Sequence, residues 1–244
     1  MAKALGQQLF EDVLSFVFPE NCFEELFMNF NVFHPKCPKQ VLSRVLGLGI
    51  TFGSMMLFVP QILKIHTARS AKGISLISQL LALVGAFGTA AYSYTKGFVF
   101  TQYGDSIFVT IQLIIIIMQI LYFNGAGAYA AAFLAFCWAM TFAVIGAYIP
   151  LSVLTSIQAV TIPIVFVSKA IQASQNYKAQ STGQLSLVSV ALQFFGTVAR
   201  VYTTLQDTDD QLLLASFGSA AALNAVIFAQ FFLYWNAPEK KKIA

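Results

Sequence analysis

Charge is what this sequence lacks. Of 244 residues, 14 are Lys or Arg and 10 are Asp or Glu, so charged residues make up 10% of the chain. A water-soluble domain carries about 25%. That scarcity excludes a water-facing surface of ordinary extent. Histidine is rarer still, with only His34 and His66. No zinc-spaced His-Glu-x-x-His, Gly-x-Ser-x-Gly elbow, glycine-rich phosphate loop or acidic metal pair occurs. Catalysis would need partnered acids or nucleophiles, so the sequence points away from an enzyme and calls for no cofactor or metal. The three cysteines, Cys22, Cys37 and Cys137, have no metal-ligand spacing. Basic residues are scattered over short loops and aromatics lie inside apolar runs, which excludes a nucleic-acid surface. No cleavable leader is evident, because Lys3 is the only early basic residue and Glu11 and Asp12 interrupt the first apolar run.

What the chain has is apolar surface. Hydrophobic residues make up 58% of it and the mean hydropathy is +0.73. Burying that much in water needs a larger core than one domain offers, so the solvent is a bilayer. Hydropathy places seven helical spans near 42–63, 74–95, 105–123, 128–147, 151–170, 185–205 and 211–235. Small residues within them, Gly47, Gly49, Gly53, Ser54, Gly85 and Gly88, are expected where backbones approach closely. Before the first span, apolar residues recur at helical spacing with acids on the other side. This predicts one or two amphipathic helices in residues 1–41, lying on the membrane or capping the bundle. The 63–74 and 170–185 connections and the tail are basic, whereas the 206–211 loop carries Asp207, Asp209 and Asp210. The positive-inside bias then puts the C-terminus in the cytosol and the N-terminus in a lumen or outside. An oxidising compartment would allow Cys22 and Cys37 to form a disulfide, although spacing alone cannot show that they meet.

One stretch occurs twice. Val59-Pro60-Gln61 and the polar residues after it recur at Ile171-Gln172, and Gln61 lies 111 positions before Gln172. The same offset superposes Ser70 on Ser181, Gly85 on Gly196 and Gln119 on Gln230. A repeat of that length is about three helices, and duplicated membrane units place a binding site between their halves. Pro60 removes a backbone donor near a span end and frees a carbonyl that Gln61, or a ligand, can bond. The second copy has Ile171 at the proline position and Pro163 two turns earlier, so Pro60 and Pro163 are the candidate hinges. Arg200 falls inside the sixth span, where a cation costs at least ~2.5 kcal/mol at the centre. It calls for an acid, a carbonyl or an anionic ligand such as a phosphodiester, unless it snorkels toward Asp207 and Asp209. Lys169 is a second candidate of the same kind. Gln61 and Gln172 complete the candidate substrate contacts. The tail ends Lys241-Lys242-Ile243-Ala244, the spacing of a cytosolic dilysine retrieval signal.

The two stretches resemble PQ-loop repeats, the three-helix units of cystinosin and the SWEET sugar transporters. The resemblance rests on Pro60-Gln61 at a span end and on Ser70, Gly73, Ile74 and Ser75 after it. It implies an all-α membrane protein of seven transmembrane helices, built as two parallel three-helix repeats joined by a linker helix. The parts would be a lumenal segment (1–41), a first repeat (42–123), the linker (128–147), a second repeat (151–235) and a cytosolic basic tail (236–244). Gly47-Leu48-Gly49-Ile50, the run from Asn176-Tyr177 to Ser186, Phe232 to Asn236 and the tail resemble the branch of that family needed for mannose-P-dolichol utilization. That implies an endoplasmic reticulum membrane protein required for using mannose-P-dolichol and glucose-P-dolichol as lumenal sugar donors. Such a protein would bind, present or translocate the lipid-linked sugar phosphate, or else organise dolichol-dependent glycosyltransferases without binding sugar. Ordinary solute transport would rest on shared fold alone.

Overall fold

The computed structural model describes residues 17–19, 22–72, 74–181 and 187–234. The dilysine pair Lys241 and Lys242, most of the N-terminal segment, and residues 182–186 of the second repeated stretch lie outside them.

The bundle contains α1 (Cys37–Met55), α2 (Val59–Ala68), α3 (Leu76–Thr95), α4 (Gly104–Phe123), α5 (Gly127–Ile145), α6 (Leu151–Ala179), α7 (Leu187–Asp207) and α8 (Gln211–Leu233). Among the described residues six stretches are long and apolar enough to cross a membrane, and α1 with α2 counts as one such span, Cys37–Ala68. The seventh bundle segment, α7, has the length at 21 residues but is less apolar. Arg200, Thr203 and Thr204 on it are buried, so its polar side is spent on protein rather than lipid.

Helix packing repeats the sequence duplication. In the first triplet α4 packs on both α3 and the α1–α2 span. In the second, α8 packs on both α7 and α6. The third helix of each unit is therefore the middle one. The triplets meet along two seams, α1 against α7 and α3 against α6. Each seam joins the first helix of one unit to the second helix of the other, as parallel repeats about an axis along the membrane normal require. The linker α5 packs on α4, outside both seams.

Several local details differ from the sequence expectation. Hydropathy stops the fifth span near residue 170, yet α6 continues to Ala179, because a helix need not end where its apolar face does. In the described N-terminal part Val17, Cys22 and Phe23 are helical and Glu24–Met28 continues as a π-turn, and Phe30 takes a left-handed backbone (φ 49°). The rest of the expected amphipathic stretch lies outside the described residues. The rings of Phe18, Phe23 and Phe27 cluster, and a Cys22–Cys37 disulfide, with Cα atoms 5.2 Å apart, ties this segment to the first turn of α1. Of the glycines expected at close approaches, two fit. A Cβ on Gly47 would lie 2.7 Å from the Thr101 carbonyl oxygen, and one on Gly88 would lie 2.7 Å from Ile157 Cγ2. Gly49 and Gly53 face open space instead.

Candidate functional site

The first repeat stops its opening helix at Met55 and restarts it at Val59. Pro60 explains the gap, since it cannot donate and its ring clashes with the carbonyl four residues back. The groups freed by the break are taken up by Gln112 of α4. Its Oε1 accepts from the Phe58 N–H at 2.8 Å, and its Nε2 donates to the Ser54 carbonyl at 2.8 Å. Among the described residues Gln61, expected in that role, makes no side-chain hydrogen bond, and neither does Gln172. In the second repeat α6 runs through Pro163 without a break. The two candidate hinges are therefore unlike: Pro60 starts a helix and Pro163 lies within one.

Where the copies agree, they agree at the 111-residue offset. Gln119 donates to the Ile62 carbonyl at 3.2 Å, and Gln230 donates to the Ala173 carbonyl at 2.8 Å. Each bond holds the carbonyl next to the repeated glutamine position. Arg69 (φ 45°) and Gln180 (φ 47°) end α2 and α6 with the same left-handed residue.

The face of the bundle where α1 begins is closed by polar contacts. Arg200, only 3% exposed, donates to the Thr101 carbonyl at 2.8 Å and pairs with Asp105 at 2.6 Å. It does not snorkel to Asp207 or Asp209. Asp207 instead accepts from Ser43 at 2.9 Å and from Gln102 at 2.7 Å. Thr101 and Gln102 come from the turn before α4, which is buried in the α1–α7 seam beneath Gly47. Beside this cluster Tyr92 donates to Asp210 at 2.8 Å, with Lys96 at 3.6 Å from the same oxygen. Burial would raise the Asp210 carboxyl, but the Leu213 N–H, the Tyr92 hydroxyl and Lys96 outweigh it and hold the group below its ordinary value. Asp105, Gln102 and Gln112 carry no spacing signal in the sequence, because their partners lie 54 to 105 residues away.

The α3–α6 seam differs. Thr89, the counterpart of Arg200 at the repeat offset, donates to Gln158 at 2.9 Å. Toward the C-terminal face this seam opens into a cleft of about 710 Å³ between α3, α6, α7 and α8. Leu81, Val84, Val160 and Phe217 make it largely apolar; Lys169 is its one charged lining residue, beside hydroxyls such as those of Thr161 and Thr197. Lys169 donates to Gln193 of α7. Among the described residues it has no acidic partner. Of the four candidate contacts, Lys169 alone lines this cleft; Arg200 belongs to the opposite seam, and Gln61 and Gln172 lie on neither wall. The candidates do not converge on one point.

The sequence profile described as PQ loop repeat matches residues 42–102 and 153–213, two segments separated by the same 111-residue offset. The human protein named Solute carrier family 66 member 3 is 29% identical over 172 residues, covering 68% of this chain and 81% of its own length.

Proposed function

The chain belongs to the PQ-loop repeat family, and from that premise we propose that it handles a lipid-linked sugar phosphate of the mannose-P-dolichol and glucose-P-dolichol kind in the endoplasmic reticulum membrane, as a non-enzymatic carrier or presenter. The observation that carries the reading is Lys169, a cation within a spanning helix, without an acid among the described residues, on the wall of an apolar cleft between the repeats. A cation held against apolar walls is costly unless a ligand uses it. A phosphodiester supplies the missing charge and its long chain suits the walls. Arg200, already balanced by Asp105, serves in this reading as a lock on the opposite face.

The finer resemblance to the mannose-P-dolichol utilization defect 1 protein supports this substrate class, and kinship with a solute carrier supports a carrier role. The Cys22–Cys37 disulfide supports placing the N-terminal face in the oxidising lumen. Lys64, Arg69, Lys72 and Lys178 support a cytosolic C-terminal face, where a Lys241-Lys242 signal could be read.

The test uses purified full-length protein in vesicles with labelled mannose-P-dolichol. Specific binding or movement across the bilayer is expected, with about tenfold weaker binding for Lys169→Gln, the 1.4 kcal/mol scale of a lost charge-assisted bond. No binding above protein-free vesicles would overturn the proposal. A second reading, an organiser of dolichol-dependent glycosyltransferases, is favoured by one feature. Met28, Phe30 and Phe33, at 70%, 80% and 97% exposure, are large apolar side chains left exposed ahead of α1. Transferase capture lost on Phe30→Ser and Phe33→Ser, in protein that binds no lipid-linked sugar, would favour that reading.

A further inference from the structure

A second apolar cleft lies away from both seams. It has a volume of about 570 Å³ and runs between α3, α4 and the linker α5. Its floor is recessed: Ala90, Ala91, Thr110 and Val144 are all buried. The Thr110 and Thr141 hydroxyls on its walls donate to the Ser106 and Cys137 carbonyls of their own helices, so neither asks for a polar ligand. At the N-terminal-face end stand Tyr94 and Tyr103. Neither phenol hydroxyl has a hydrogen-bond partner among the described residues. Burial, and to a lesser extent Tyr94, raise the Tyr103 pKa.

We propose that this cleft is a lipid site, holding one acyl chain of a phospholipid from the N-terminal-side leaflet, with the headgroup phosphate or ester oxygens accepting from Tyr94 and Tyr103. The polarity fits: two free donors sit at one end and hydrocarbon lines the rest. The length fits as well. Ile107 and Met118 of α4 both line the cleft, and eleven residues of helix rise about 16 Å. That is half of a hydrocarbon core of about 30 Å, the reach of a chain within one leaflet and far short of a polyprenyl chain. Among the described residues no helix packs on α8 as the linker α5 packs on α4, so the site is built on the first repeat.

The test reconstitutes the full chain in phosphatidylcholine vesicles containing a phosphatidylcholine with a photoactivatable group in its acyl chain. After illumination, cross-links should concentrate on Ile107–Met118 and on 134–145 over the outward residues Val153 and Val167 of α6. Thr141→Phe, which fills the cleft, should cut that labelling about tenfold, equivalent to 1.4 kcal/mol. Ile111→Trp, at an exposed position on the rim, serves if that variant does not fold. Tyr94→Phe with Tyr103→Phe keeps both rings and should lower labelling about fivefold, the scale of two lost hydrogen bonds. Labelling no greater than on α6, or unchanged in the filled variants, would mean bulk bilayer contact only and overturn the site. Stronger labelling by a polyprenyl phosphate probe would overturn its assignment to a phospholipid. None of these outcomes depends on sugar handling at Lys169.

Discussion

In the first repeat the opening span stops at Met55, turns, and restarts at Val59, whereas in the second the corresponding helix runs unbroken from Leu151 to Ala179. The units nonetheless close on the same details. Gln119 and Gln230 hold equivalent carbonyls, and Arg69 and Gln180 end equivalent helices. The difference shows what a proline within a span demands. Pro60 frees backbone groups that lipid cannot satisfy, so a neighbouring helix must supply an amide. Gln112 does so, and the equivalent position in the unbroken repeat is Leu223.

The largest contrast lies between the seams. The α1–α7 seam holds a buried ion pair, Arg200–Asp105, where the α3–α6 seam holds the neutral Thr89–Gln158 bond. Removing one partner of a buried pair leaves an uncompensated charge. Arg200→Gln is therefore expected to lower stability by about 3 kcal/mol. Thr89→Val removes one hydrogen bond, at about 1 kcal/mol. Denaturation midpoints of the purified variants in one detergent compare them directly. Equal losses would mean that the seams differ in chemistry but not in strength.

Next comes the break itself. Gln112→Leu installs the second repeat's residue and leaves the Phe58 N–H and the Ser54 carbonyl without their side-chain partner, an expected loss of about 2 kcal/mol. If Pro60 causes the break, Pro60→Ala should let the helix close and shrink the cost of Gln112→Leu. A double-mutant cycle reads that coupling, and additive losses would show that the break is set elsewhere.

A smaller contrast sits at the C-terminal face. Asn176 donates to Gln230 Oε1 at 3.1 Å, but Ile65 occupies the equivalent position in the first repeat, and Gln119 Oε1 is buried without a partner. Asn176→Ile should cost about 1 kcal/mol by orphaning Gln230. Ile65 is packed with Ile116 and Ile120, where a polar amide without a partner would cost about 1–3 kcal/mol. Ile65→Asn should cost clearly less than that, because Gln119 accepts from it. A full penalty in thermal unfolding would show that the two glutamines are not interchangeable.

These contrasts also mark how much was legible in the sequence. The duplication, its offset and the break near Pro60 follow from residue identity along the chain, because hydropathy and proline act locally. The Gln119–Gln230 correspondence was visible as a coincidence of spacing, and the structure gives its reason. Arg200 was legible as a buried cation, but its partner was not. Asp105 begins another span and looks like an ordinary first-turn acid. Lys169 near a span end looked weaker than Arg200, and only packing reveals which of the two has an acid beside it. Gln112 was invisible for the same reason, since a polar residue in an apolar span says that it needs a partner without saying which.

The smallest prediction asks whether the repeats are equivalent where they look identical. Arg69 and Gln180 take left-handed backbone conformations at φ 45° and 47°. In each copy the next amide reaches back five residues, Ser70 to Ile65 at 3.4 Å and Ser181 to Asn176 at 3.2 Å. That bond closes the helix end but requires a conformation that costs a residue with a Cβ about 1–2 kcal/mol. Glycine removes the cost, and its greater freedom in the unfolded chain returns part of the gain. Arg69→Gly and Gln180→Gly should each stabilise the purified protein, by about 0.5 kcal/mol. Because the backbone is the same in both copies, the gains should match and add in the double variant. A gain at one position and a loss at the other, read from unfolding midpoints, would show that the Arg69 or Gln180 side chain itself contributes to its loop.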